Sequence, residues 1–195
     1  MENKYFKNDK KNNNCDIKNL SFTEVDLQNI SFAESTLKNV SILKSKIIDF
    51  SLINSKIEKC NFSNSELEKT YFKNSLIQNS KATGVSLAEG ELINTKFITN
   101  KIDLSNFRFA NLKNVEFNNC VLINTDFQGA NLNKVSFSNC DLTNVNFSQA
   151  VFNEIDLRGS NISGLMIDIN NLKELTIDPH QVIYIANLLG INVKN

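Results

Sequence analysis

ANLKNVEFNNCVLINTDF runs from Ala110 to Phe127 and divides into fives. The third residue of each block is Leu112, Phe117, Leu122 and Phe127, while the first is Ala110, Val115, Cys120 and Thr125, all small or β-branched. The remaining positions are mostly Asn, Lys, Glu and Asp. The same frame extends in both directions for thirty-one consecutive blocks, from Ile17 to Ile167. Every block centre is apolar, and only Ala82 is small. Five residues fit neither the 3.6 of a helix nor the 2 of a flat strand. A fixed short self-similarity marks a repeat architecture. Two inward residues spaced by two suit a short extended piece, because i and i+2 of a strand share a face. The other residues then turn a corner, and repeated corners wind the chain into a coil with a dry centre.

These blocks resemble the pentapeptide-repeat family, whose motif is small–Asp/Asn–Leu/Phe–any–any. The resemblance covers residues 15–167. It implies an all-β fold: a right-handed, quadrilateral parallel β-helix with four blocks, or twenty residues, per coil. The expected organisation is an N-terminal cap at 1–14, the β-helix at 15–177, and a C-terminal helix and tail at 178–195. Tyr5 and Phe6 suit a cap across the open end, and Lys7 to Asn14 reads as a polar loop. Solenoid ends need such covers.

A step of twenty sorts the centres into four columns, headed by Ile17, Phe22, Leu27 and Phe32. Phe concentrates in columns two and four in the N-terminal half, then moves to columns one and three from Phe97 onward. The changeover, at residues 80–100, includes Ala82, Gly90 and an inward Asn100. A bend, bulge or distorted turn is expected there, because a buried amide is costly without partners.

The outward residues sort into faces numbered like the columns. Face three carries Asp26, Asp49, Glu66, Glu68, Glu89, Asp126 and Asp168 against Lys46, Lys69 and Arg108, a balance of −4 on a chain of zero formal charge. Face one is positive on balance. Outward apolar residues form a second group, Ile93, Ile98, Leu104, Phe109, Val121 and Ile123, and such a cluster can mark an interaction site. Cys15, Cys60, Cys120 and Cys140 take the small inward position as small hydrophobes.

The repeat fades after Ile167. Asp178 reads as an N-cap, Pro179 as the first helical residue and Gly190 as the residue past the end. Val182, Ile183, Ile185, Ala186 and Leu189 make an apolar stripe expected to form a self-complementary dimer interface while covering the last coil. Ile177, Asp178, Gln181, Leu189, Gly190, Ile191 and Val193, downstream of Asp156, Leu157, Arg158 and Gly159, resemble the C-terminal segment of the Qnr-type quinolone-resistance proteins. That resemblance implies a rod-shaped homodimer. It also implies a mimic of duplex DNA that binds DNA gyrase or topoisomerase IV and protects them from fluoroquinolones. A generic interaction scaffold with another partner is the alternative. The unbroken frame leaves no room for the two projecting loops of many Qnr proteins.

Neutral charge gives no general attraction to nucleic acid or acidic lipid. No apolar run is long enough to span a membrane, and the N-terminus has no secretory core, so the cytoplasm is the expected location. His180 is the one histidine, and no Ser/His/Asp, Cys/His or phosphate-loop constellation accompanies it. No enzyme activity, catalytic residue, metal or cofactor is expected.

Overall fold

At a step of twenty, like residues stack on like, so each coil reproduces the hydrogen-bonding edge of the one before. A computed structural model describes residues 3–193 and shows a parallel β-solenoid of about eight turns. On face one the paired Cα positions run Ile17, Leu37, Ile57, Ile77, Phe97, Phe117, Phe137. On face four they run Asn12, Phe32, Leu52, Phe72, Leu92, Leu112, Leu132, Phe152. The register never slips.

Faces two and three behave differently. They hold regular strands chiefly at the start, as in Ser21–Thr23 with Ser41–Leu43 and Asp26–Ala33 with Lys46–Ile53 and Glu66–Glu68, and again on face three at the end, Asn146–Phe147 with Met166–Ile167. Beyond that they are joined chiefly by single bridges, such as Asn61 to Lys81 and Ser86 to Asn106. Tight turns take over: the N–H groups of Ala110 and Ala130 donate to Phe107 and Phe127 at 3.2 and 3.0 Å. The third residue of each turn, Phe109 or Gly129, has positive φ, the requirement of a type II turn.

The last residue of nearly every block is left-handed, with φ between 49° and 60° at the non-glycine positions of the coil. Asn fills half of these corners because its short amide tolerates that conformation best after glycine. Stacked corners also bond to one another. Asn74, Asn94 and Asn114 each donate their Nδ2 to the Oδ1 of the Asn one coil earlier, at 3.1, 3.0 and 3.0 Å.

The small inward position is a second ladder. Ser35, Ser55 and Ser75 accept the N–H of Cys15, Ser35 and Ser55 at 3.0, 3.0 and 3.2 Å. Cys60 serves in the same way, accepting from the Val40 N–H at 3.4 Å. Burial pushes its thiol above the usual range. All four cysteines are free.

The buried apolar side chains form one continuous cluster. Phe97, Phe117 and Phe137 lie face to face at 4.8 and 4.9 Å, as do Phe107, Phe127 and Phe147 at 4.7 and 5.1 Å. The two stacks meet edge to face, Phe117 to Phe127 at 6.4 Å. Edge-to-face contact of this kind is a packing the ring quadrupole favours.

Neither a bend nor a bulge interrupts residues 80–100. Asn100 is buried without strain, because its Oδ1 accepts the Ser80 N–H and its Nδ2 donates to the Ile77 carbonyl, both at 2.8 Å. It is one more rung of the inward ladder. The phenylalanine changeover instead leaves an apolar void of about 40 Å³ lined by Phe50, Ile57, Phe62, Phe72, Ala82 and Phe97, among others.

The ends are closed by specific residues. Phe6 is buried against Phe22 and Phe32 at 4.9 and 5.2 Å. Residues 7–14 are not simply a loop: Lys11–Asn13 is a strand paired with 31–33. Asn12 points inward and donates to the Tyr5 and Ser31 carbonyls. At the other end the face-four segment becomes a 3-10 helix, Ile169–Glu174, and Leu175–Thr176 pairs with 155–156. A 3-10 turn, Pro179–Gln181, then leads into helix α1, Val182–Leu188. The Gly190 and Ile191 N–H groups donate to Asn187 and Ala186, a Schellman ending. Among the described residues no helix is long and apolar enough to cross a membrane.

Candidate functional site

The frame places all seven predicted carboxylates on face three, across the seven coil-to-coil steps from Asp26 to Asp168. At the usual spacing of about 4.8 Å between strands, that row is roughly 34 Å long. The carboxylates are not equivalent. Lys46 reaches Glu68 at 3.2 Å and Glu66 at 3.8 Å, and its ammonium is held above its ordinary pKa chiefly by the Glu68 hydrogen bond. Asp126 accepts from the Gln128 N–H and the Asn146 amide, and Arg108 lies 3.7 Å away. Asp168 accepts the Gln149 N–H at 2.8 Å. These two carboxylates spend part of their charge on the coil itself. Asp49 and Glu89 stand exposed at left-handed corners.

Between the Glu66–Glu68 row and Asn106, the short side chains of Ser86 and Ala88 leave a shallow depression rimmed by Glu66, Glu68, Lys69 and Glu89. Its walls are carboxylate-rich and its floor is small. Face one differs in kind. Glu58 is held between Lys56 at 2.8 Å and Lys38 at 3.1 Å, and hydrogen bonds from these two ammonium groups lower its pKa to about 2.

The predicted apolar group does not gather on one side. Ile93 lies on face four and Ile98 on face one, both half-buried. Val121 and Ile123, also half-buried, are on face two. Leu104 and Phe109 are 58% and 55% exposed and occupy the two corners that bound face three.

The C-terminal stripe is divided by its packing. Ile185 packs on the core and Ala186 is half-buried, so both face their own last coil. Val182, Ile183 and Leu189 are exposed, along with Tyr184, Leu188, Ile191 and Val193. Gln181 is the residue sequence reasoning undervalued. It is fully buried, and its Nε2 donates to the Leu157 and Ser160 carbonyls at 2.8 and 2.7 Å while its Oε1 accepts the Asp178 N–H at 2.8 Å. It therefore satisfies the open edge of the last coil. Its place three residues after an Asp N-cap, the capping-box spacing, was the available signal.

A family model for the pentapeptide repeat region matches residues 50–122 and 110–182. The chain belongs to the pentapeptide-repeat family. Among solved structures, this pentapeptide-repeat chain is similar to a trypsin-treated single-site variant of QnrB1, a plasmid-mediated fluoroquinolone resistance protein. The TM-score is 0.53 at 17% identity, covering 91% of this chain and 99% of that one. A second trypsin-treated QnrB1 variant aligns with a TM-score of 0.41 at 18% identity, covering 90% and 100%. HetL of the cyanobacterium Nostoc sp. strain PCC 7120 aligns at 0.34 and 14% identity, covering 84% and 87%. At 17% identity the likeness to the first of these is one of fold. No curated protein matches the chain.

Proposed function

We propose that the chain is a non-enzymatic, cytoplasmic binding rod whose acidic face docks where a type II topoisomerase, DNA gyrase or topoisomerase IV, normally holds DNA. In this reading its binding shields the enzyme from fluoroquinolones. The observation that carries the proposal is the row of seven carboxylates along one face of a stiff solenoid that is neutral overall. DNA-binding surfaces are positive, and their affinity for phosphate falls steeply with salt. A carboxylate row in place of phosphates inherits part of that dependence. Stiffness helps, because little ordering entropy opposes docking. The exposed apolar residues of α1 and its end, among them Val182, Ile183 and Leu189, favour assembly as a homodimer through the C-terminal helix.

The test is gyrase binding and ciprofloxacin protection in a supercoiling assay, at low and moderate salt. Glu66→Lys, Glu68→Lys and Glu89→Lys together should abolish both. Glu34→Lys with Glu91→Lys, exposed away from face three, should leave them nearly unchanged. Glu58 is unsuitable as a control because two lysines hold it. Equal affinity of the two sets, or binding insensitive to salt, would remove the electrostatic mimic and leave a scaffold for another partner.

A further inference from the structure

Left-handed corners discriminate among side chains. Of the 28 non-glycine residues with positive φ, 26 are Asn, Asp, Glu, Gln, Lys or Thr. The other two are Leu104 and Phe109, with φ of 58° and 57°. Bulky apolar side chains are outliers in this region. Both are also exposed, so burial does not compensate. They are consecutive corners of one coil, and they bracket face three with Asn106 and Arg108 between them.

Phe109 is also braced. Gly129 lies one coil on, and a Cβ there would approach the Phe109 ring carbons to 2.5 and 2.6 Å, so the ring rests where only glycine leaves room. The Arg108 guanidinium stands 5.9 Å from the ring centroid. That guanidinium is itself fixed by Gln128 at 2.6 Å and by Asp126. An exposed aromatic held in one place, at conformational cost, is the form of a binding anchor.

We propose that Leu104 and Phe109 are paired apolar anchors for a protein partner, seated in recesses flanked by basic side chains. The occupant is a basic protein surface rather than nucleic acid. Glu89 stands at the same corner one coil before Phe109, with Glu66 and Glu68 one coil further, and such carboxylates repel phosphate and attract lysine and arginine. The half-buried Ile93, Ile98, Val121 and Ile123 take no part. This inference rests on the acidic-face reading and adds two residues that charge alone would not select.

The fold supplies a discriminating substitution. Leu104→Asn places an amide above Asn124, which already accepts from Asn144 at 3.2 Å, and so extends a ladder. Phe109→Asn relieves the corner strain. The double variant should therefore unfold at the same or a higher temperature, yet bind the intact gyrase tetramer about tenfold or more weakly. Its salt dependence should match that of the unmodified chain.

Wild-type affinity in the Asn variant overturns the anchors and leaves the charge reading standing. If the Asn variant is less stable, Leu104→Gln with Phe109→Gln is the second test, since Gln149 occupies the same corner column as Phe109. A lowered midpoint in both pairs means the side chains serve the fold, which overturns the proposal. No gyrase binding by the unmodified chain overturns this inference and the acidic-face reading together.

Discussion

Replacing Ala82 with Ile should stabilise the protein. Every other centre of column two is large: Phe22, Ile42, Phe62, Ile102, Leu122, Leu142 and Ile162. At Ala82 the column has a gap, and the gap adjoins the void of about 40 Å³. Cavity volume costs ~24 cal/mol per Å³, so filling it recovers about 1 kcal/mol. The three added carbons bring up to about 2.4 kcal/mol of transfer free energy if all are buried, a term that overlaps the first. Ordering the side chain takes back about 0.5–1 kcal/mol. The net expectation is a gain of about 1–2 kcal/mol, or a rise of roughly 2–8 °C in the thermal midpoint for a chain of this size. Urea denaturation should show a higher midpoint at unchanged m-value, because the surface exposed on unfolding hardly changes. A lower midpoint would mean that Phe62, Phe72 and Phe97 already close the void in solution and that the added methyls overpack it.

Phe127→Ala should cost about 3–5 kcal/mol in the same assay, since the ring is stacked between Phe107 and Phe147 and touches Phe117 and Phe137 edge-on; a loss below about 1 kcal/mol would show it is not central. Gln181→Leu keeps the volume but strands the Leu157 and Ser160 carbonyls, with an expected cost of about 1–3 kcal/mol and faster hydrogen exchange confined to the last coil. The Glu58 carboxylate is lowered from 4.5 to about 2 in the folded chain, so its stabilising effect is complete above pH 4.5 and disappears as the pH falls towards 2. Glu58→Gln should flatten that part of the curve of urea midpoint against pH, and an unchanged curve would refute the pairing. Ile183→Asp should convert a dimer to monomers by light scattering without lowering the thermal midpoint, whereas Ile185→Asp would also disturb the cap because Ile185 packs on the core.

The coil itself was legible because it obeys one rule thirty-one times, and a single frame error would have exposed a wrong reading. The face-three row followed from arithmetic on that frame. What escaped were residues whose role depends on hydrogen-bond geometry rather than polarity. Asn100 looked like a fault because an amide on an inward position is costly alone, but a backbone N–H and a carbonyl wait for it one coil back. Asn12 was hidden in a lysine- and asparagine-rich stretch with no apolar centre, yet it completes the first coil. The abundance of Asn at the fifth position carried the left-handed corners in plain view, and with them the oddity of Leu104 and Phe109. The apolar group scatters around the coil because neighbouring blocks turn onto different faces.

The uninterrupted step of twenty makes surface position a matter of arithmetic: a residue's number modulo twenty is its longitude on the rod, and the quotient is its latitude. Losing one five-residue block would keep an apolar centre in every block, but turn everything downstream by a quarter and part side chains that now meet across the cut, such as Asn114 and Asn94. A deletion between Phe97 and Phe107 would carry Asp126 and Asp168 away from the side that bears Glu66 and Glu89. Losing four blocks would shorten the rod and keep the sides aligned. Length in such a chain can therefore drift only in whole coils if one side is to stay acidic, and a block-sized change amounts to re-addressing half of the surface.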